Sequence, residues 1–327
     1  MIASRRRVVL GATAAALPWA AAAQGPAAAK LKRIKAATVA TPDVSAAARW
    51  YAGALGYRIA ERNVISPALA AAWGAPAMAG RTMVTLLPES GADVPIRIVE
   101  IDPMPAPEPL TTWGWSAIEI AVQDVDALYA RLKRGWLAPP IRLLGEPRAL
   151  SPGSPIVAMQ LRGPAGEVLY LTANTGDRLK SNHPEPRSMV DRTFIAVLAG
   201  PDLAALKTFY RDRFALGDQG DMTLPVPSRA VAHGLPADHP YTISVVVLAE
   251  RGNKIELDGF PPGATGPRPQ WPGQLPPGTA MMSFSVAGFD GLDGATIAPP
   301  AALYGSLRAA TFRGPAGELT ELIADRS

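Results

Sequence analysis

The sequence predicts an α+β protein built from four βαβββ units, and three observations lead there. Leu161-Arg162-Gly163-Pro164-Ala165-Gly166-Glu167 returns as Phe312-Arg313-Gly314-Pro315-Ala316-Gly317-Glu318, so the chain contains a repeat. Two further segments recur in the same order. Pro42-Asp43-Val44 through Trp50-Tyr51 matches Pro201-Asp202-Leu203 through Phe209-Tyr210, and residues 70–76 match residues 230–236. Finally, each half divides again into a strand, a capped helix and further strands.

The elements follow from local chemistry. Residues 34–39 read as a strand leading to Pro42-Asp43, and Asp43 is a helix N-cap. Val44, Ala47, Ala48, Tyr51 and Leu55 then fall at helical spacing, and Gly56 ends the helix. Strands are predicted around 57–65, 82–87 and 96–101, interrupted by a short apolar helix over 67–73. A Pro-rich link at 103–109 leads to the second unit, with a strand over 117–122 and Asp124 as cap. Its helix over 125–133 carries Val125, Leu128, Tyr129 and Leu132 on one face, and strands follow near 141–144, 156–161 and 167–172. The third unit, 194–260, copies the first, and 261–277 is a second Pro-rich link. The fourth, 281–324, keeps its ends but loses most of its helix to 288–294.

Composition narrows the function classes. Of 327 residues, 48% are hydrophobic and 18% charged, which is globular rather than disordered. The formal charge of +4 is local, because Arg5, Arg6 and Arg7 supply three of those charges and no acidic residue precedes Asp43. The nearly neutral remainder gives no electrostatic case for nucleic acid or an anionic membrane. With no cysteine, neither disulfides nor thiolate sites exist.

The first 23 residues read as an address. Ser4-Arg5-Arg6-Arg7-Val8-Val9-Leu10 resembles a twin-arginine export motif, an Ala-rich apolar run follows, and Ala21-Ala22-Ala23 offers a cleavage site before Gln24. The expected location is the periplasm. No other segment is long and apolar enough to span a bilayer.

The pattern of strand, Pro-Asp, and helix ending in Trp50-Tyr51…Leu55-Gly56-Tyr57, with Val122-Gln123-Asp124-Val125 and the two Gly-Pro-Ala-Gly-Glu turns, resembles the vicinal-oxygen-chelate superfamily. This is the superfamily of glyoxalases, bleomycin-resistance proteins and extradiol dioxygenases. The resemblance implies paired units whose strands form open, cupped mixed sheets with a pocket inside. On that basis residues 32–173 and 191–325 are expected as two such domains. Residues 174–190 would be the linker between them, cut most readily by protease near 181–186.

In metal-using members, the resemblance implies a His on a unit's first strand and a Glu on its last. Here the histidine places fall on Ala36, Ala117, Ile195 and Met281, and the last-strand places on Glu100, Tyr170, Glu256 and Glu321. With imidazole missing from all four, no metal site or cofactor is expected beyond a weakly held divalent cation at Glu256 and Glu321. Those two glutamates would share the second domain's pocket, where mutual repulsion would leave one protonated and able to act as a general acid. Glu100 with Tyr170 could move a proton in the first. Each of these side chains has a purely structural reading beside the functional one.

Trp113 and Trp115, at alternate positions, are expected to face one side as an aromatic ligand wall. Trp73 and His233, at matching ends of the two short helices, could cover pocket mouths; His183 and His239 read as linker and turn residues. The expected partner is a small apolar or aromatic molecule, bound without the usual metal. The alternative is an enzyme of the same fold, acting without metal or through an atypical carboxylate-held ion.

Export is checked directly: Arg5→Lys with Arg6→Lys should stop mature protein from reaching the periplasm, and sequencing of the mature wild-type chain should begin at or near Gln24.

Overall fold

The computed structural model describes residues 29–105, 107–177, 181–263, 265–292, 296–298 and 307–325; the predicted export segment lies outside them. The first unit comprises β1 (Ile34–Thr41), α1 (Val44–Leu55), β2 (Arg58–Val64), α2 (Pro67–Ala72), β3 (Thr82–Leu87) and β4 (Ile96–Glu100). The second has β5 (Gly114–Val122), α3 (Val125–Leu132), β6 (Arg142–Ala149), β7 (Ile156–Arg162) and β8 (Val168–Asn174). The third repeats the first as β9 (Val190–Gly200), α4 (Leu203–Phe214), β10 (Gly217–Pro225), α5 (Pro227–Ala232), β11 (Pro240–Val247) and β12 (Lys254–Gly259). The fourth has β13 (Gly278–Val286), β14 (Thr296–Ala298), β15 (Ala309–Arg313) and β16 (Leu319–Ala324), with no helix among its described residues. Asp43, Asp124 and Asp202 each accept a hydrogen bond from the backbone N–H three residues on, at 2.8–2.9 Å, so all three predicted caps form.

The units pair differently from the sequence halves. One eight-stranded sheet runs β14-β15-β16-β13-β1-β4-β3-β2 and the other β10-β11-β12-β9-β5-β8-β7-β6. Units one and four therefore share the first sheet, and units two and three the second. This corrects the expectation that 32–173 and 191–325 each close on themselves. The physical reason lies in which connections change sheet. The two Pro-rich links carry the chain from β4 to β5 and from β12 back to β13, whereas 174–190 joins two strands of one sheet. β9 then pairs antiparallel with the free edge of β5, as β13 does with β1.

Residues 181–186 are accordingly no exposed tether. Asn182 and Pro184 are buried, Arg251 donates to the Ser181 carbonyl at 2.6 Å, and the His183 ring packs 4.6 Å from that of Phe194.

Strand alternation sorts the side chains. Ile118, Ile120, Met282, Phe284 and Leu322 turn toward the helices and join Tyr51, Leu128, Tyr210 and Phe214 in the main core. Their neighbours, such as Ala117, Ala121, Met281 and Leu319, face the opposite, cupped side.

The Gly-Pro-Ala-Gly-Glu turns lock the sheets together. The Glu167 carboxylate accepts from the Ala165 N–H and from the Tyr51 hydroxyl, both at 2.8 Å; Glu318 accepts from Ala316 N–H at 2.9 Å and the Tyr210 hydroxyl at 2.7 Å. Each pair spans the two sheets, since Tyr51 and Glu318 belong to units of the first sheet and Glu167 and Tyr210 to units of the second. Gly163 and Gly314 leave room for these carboxyls, because a Cβ there would sit 2.2 and 1.8 Å from the glutamate oxygens and force them to shift.

Two outcomes follow. A chain of residues 29–177 alone leaves the edges of β1 and β5 unpaired and should be soluble only as a dimer that pairs β1 of one copy with β5 of the other. Sedimentation showing a folded monomer would contradict this pairing. Burial pushes the carboxyls of Glu167 and Glu318 up to about 7. Between their ordinary value of 4.5 and 7, the folded chain keeps protons that the unfolded chain has released, so this contribution to stability is full below 4.5 and falls as pH rises. Glu167→Gln should flatten that decline, changing the drop in Tm between pH 5 and 7.5 by on the order of 5 °C relative to wild type.

Candidate functional site

The two cups differ in what their floors leave free. In the first, Arg97 on β4 donates to Glu321 on β16 at 2.7 Å and to the Ser283 hydroxyl at 2.6 Å. Ser283 also donates to Glu321 at 2.6 Å, Trp73 Nε1 donates to the other carboxylate oxygen at 3.1 Å, and the guanidinium lies 5.6 Å from the Trp73 ring centroid. Arg97 and Glu321 are sealed from solvent. A hollow opens beside Arg97 along Lys35, Ala36, Glu61, Thr85 and Asp93, but its floor is a closed ion pair.

The second cup is assembled from units two and three. Its hollow is open to solvent and holds about 920 Å³ of empty space counted out to its mouth. Gln160 on β7 pairs across to Tyr170 on β8, and Tyr170 to Glu119 on β5, so the three form a polar stripe across adjacent strands. All three line the hollow with Glu256, and Met222, Leu224, Val226 and Ile243 make the facing wall from unit three. The Tyr170 hydroxyl and the Gln160 amide oxygen are buried with no close hydrogen bond, a costly state for polar atoms, though Arg229 lies beside the tyrosine hydroxyl.

Beneath the stripe sits a charged floor. Lys254, Glu256 and Asp258 alternate along β12 and so share one face. Arg229 on α5 grips Asp258 with two hydrogen bonds, 2.9 and 2.6 Å, and comes within 3.6 Å of Glu256. Burial raises the Glu119 carboxyl to about 7, against the opposing pull of Thr172 and Lys254. It raises Glu256 well above the carboxylate range, and the charges of Asp258 and Glu119 add to that push against Arg229. Lys254 is lowered by burial to about 8, with Glu119 and Glu256 resisting.

The expected site residues scatter. Tyr170 and Glu256 meet in the second cup. Glu321 is in the other sheet, so the expected Glu256–Glu321 pair does not form: β16 follows β13 into the first sheet. Glu100 shares the strand face of Ile96 and Ile98, turns away from the cup and accepts from the Thr82 N–H at 3.1 Å, which holds its carboxyl below the ordinary value. It is therefore no partner for Tyr170.

Trp113 and Trp115 do not form a wall. Gly114 between them adopts φ of 100°, and they separate. Trp115 is buried in the main core and donates to the Leu319 carbonyl at 2.8 Å, while Trp113 binds Thr265 on the second link at 2.9 Å. Trp73 belongs to the Arg97 network.

His233 is not among the residues lining the second cup's hollow. Its Nε2 is 2.7 Å from the Leu110 carbonyl, which can only accept, so Nδ1 accepts from the Tyr241 hydroxyl at 2.8 Å. Burial also lowers its pKa. His183, expected in a solvated linker, is instead held near neutral form by burial, its pKa lowered to about 4.

Glu119, Arg229 and Lys254 escaped sequence reasoning. Glu119 had a signal: it is the lone charge in the otherwise uncharged strand Gly114–Val122. The Lys254-x-Glu256-x-Asp258 alternation was equally visible. Nothing in the sequence marks Arg229, which reaches the floor from a neighbouring element.

Each cup keeps an inward glutamate, and each glutamate already has a cation beside it. Register places Ser283 beside Glu321 and Ala36, and Glu119 beside Tyr170 and Ile195, two residues along from the histidine places expected on β5 and β13. The Arg97 guanidinium already neutralises Glu321, and Arg229 and Lys254 attend Glu256. Among the described residues, no three His, Asp or Glu side chains are placed to hold one metal ion.

Residues 33–136 match the Glyoxalase/Bleomycin resistance protein/Dioxygenase superfamily. The two-sheet fold extends the likeness over the whole chain. Glyoxalase I from Zea mays superposes with a TM-score of 0.56 at 16% identity, covering 89% of this chain and 92% of that one. A putative dioxygenase from Bacillus subtilis gives 0.58 at 15% identity, covering 90% and 86%. At such identities the glyoxalase-like fold is what is shared. No curated protein matches the sequence. Among the described residues, no helix is long and apolar enough to cross a membrane.

Proposed function

We propose that this is an exported glyoxalase-superfamily protein that binds a small, largely apolar molecule in the cup of units two and three, without a chelated transition metal. The observation that carries the reading is the polar stripe Gln160–Tyr170–Glu119, with two buried polar atoms making no close hydrogen bond, facing an apolar wall. A ligand with an apolar body and one polar edge would satisfy both sides. The first cup has its own cation, Arg97, in place of a ligand.

A second reading, metal-independent proton transfer, draws on Glu119. A carboxyl poised at about 7 beside an open cavity can give or take a proton near neutral pH. It uses the same hollow and differs in turnover.

The neutral dye N-phenyl-1-naphthylamine should gain fluorescence on mixing with the protein, and half-buried Leu224→Arg should weaken that binding by about tenfold or more, a loss of roughly 1.4 kcal/mol. Equal binding by the variant would remove the cup from consideration. Elemental analysis should find well under one Fe, Ni, Zn or Mn per chain; a stoichiometric metal lost on Glu256→Gln would overturn the metal-free reading.

A further inference from the structure

We propose that the ligand of the second cup is an organic cation, an apolar body carrying one protonated amine, whose ammonium pairs with Glu256 beside Tyr170 and Glu119. The inference rests on the cavity reading above and deepens it.

The first argument is charge. Three carboxyls, Glu119, Glu256 and Asp258, share the floor with two cations, Lys254 and Arg229. Arg229 is committed to Asp258 through both terminal nitrogens. What remains is Glu119 and Glu256 against Lys254, one negative charge in excess if all are ionised. A buried floor cannot carry that excess cheaply, and it relieves it by retaining a proton. An ammonium from the ligand replaces that proton charge for charge and adds a charge-assisted hydrogen bond.

The second argument is independent of charge. The Tyr170 hydroxyl is more than nine-tenths buried, lines the hollow and makes no close hydrogen bond although Arg229 lies beside it, so it can take up a polar group at that depth. Glu256 lines the same hollow and keeps some exposure toward it. The charged groups around Glu256 are Asp258 and Lys254 on its own strand, Arg229 from α5 and Glu119 from β5, while the exposed Glu146 and Arg148 of β6 line the same hollow and add one charge of each sign. An anionic ligand would find Arg229 already taken up by Asp258 and only the exposed Arg148 free to meet it. A neutral alcohol could bond Tyr170 but would leave the proton in place.

Exchange of a proton for an ammonium has a thermodynamic signature. Binding should release up to one proton per ligand, and affinity should rise with pH while the amine stays protonated.

The test uses three probes on one scaffold, phenethylamine, 2-phenylethanol and 3-phenylpropionate, titrated calorimetrically into the full-length mature protein at pH 6.5 and 8.5. Phenethylamine should bind about tenfold tighter than the alcohol at pH 8.5, tighten between the two pH values, and release protons as judged from buffers of different ionisation enthalpy. The acid should bind weakest. Glu256→Gln should reduce the amine to the level of the alcohol, with an unchanged far-UV circular dichroism spectrum and a cooperative melt showing that the variant is folded. If the dye and the alcohol bind but the amine has no advantage, or the acid binds as well, the cationic assignment is wrong and the cavity reading stands. If neither the dye nor any probe binds, both fall together.

Discussion

The architecture depends on two buried tyrosine–glutamate pairs. Tyr51 with Glu167 and Tyr210 with Glu318 each bring a helix of one sheet's unit onto a turn of the other's, in the middle of the main hydrophobic cluster. Because each carboxyl also closes its own turn through a backbone N–H, the turn geometry and the sheet contact are fixed by the same atoms. Removing one partner would leave a buried polar group unsatisfied, a cost of roughly 1–3 kcal/mol. The glycines at 163 and 314 follow from this arrangement, since a Cβ there would force the glutamate oxygens to shift. The strongest repeat in the sequence is therefore a joint between sheets, and it carries no ligand chemistry.

Duplication has allowed the two cups to diverge. In each, the central strands present inward-facing residues at matching places, but one cup has filled them with Arg97, Ser283 and Glu321, a network closed on itself. The other has Glu119, Tyr170 and Glu256, open to a hollow and unequal in charge. The guanidiniums play different parts. Arg97 comes from the strand beside its carboxylate and seals a floor, whereas Arg229 comes from α5 and occupies Asp258, leaving Glu256 only loosely attended at 3.6 Å. The ion pair Arg229–Asp258 is fully buried and well aligned. Breaking it would strand a charge at a cost of several kcal/mol, so it holds the floor in place rather than serving as a contact that exchanges with ligand.

Much of the fold was legible along the chain. Asp43, Asp124 and Asp202 cap their helices, Gly56 ends α1 with φ of 78°, and β3 spans the predicted 82–87. These succeed because caps and strand alternation depend on residues within a few positions of one another. The site was less legible. Tyr170 and Glu256 were within reach through the family pattern, and Glu119 announced itself as a charge in an apolar strand. Glu100 misled because a shift of one residue on β4 moves a side chain to the other face, and the inward residue is Arg97.

What the sequence determined by itself was the local programme: four units, their caps and turns, other residues at the four places where the family pattern puts histidine, and the alternation of Lys254, Glu256 and Asp258. Only the tertiary structure decided which unit pairs with which, and with that which carboxyls meet. The edge of β1 accepts β13 and the edge of β5 accepts β9, through hydrogen bonds that any strand backbone can offer. Partner choice is then set by where the Pro-rich links carry the chain and by the Tyr51–Glu167 and Tyr210–Glu318 contacts, all of them between residues more than a hundred positions apart. Hence Glu256 lies near Tyr170 and Glu119 rather than Glu321, and a cavity with one unbalanced charge exists where the linear pattern pointed to a pair of facing glutamates.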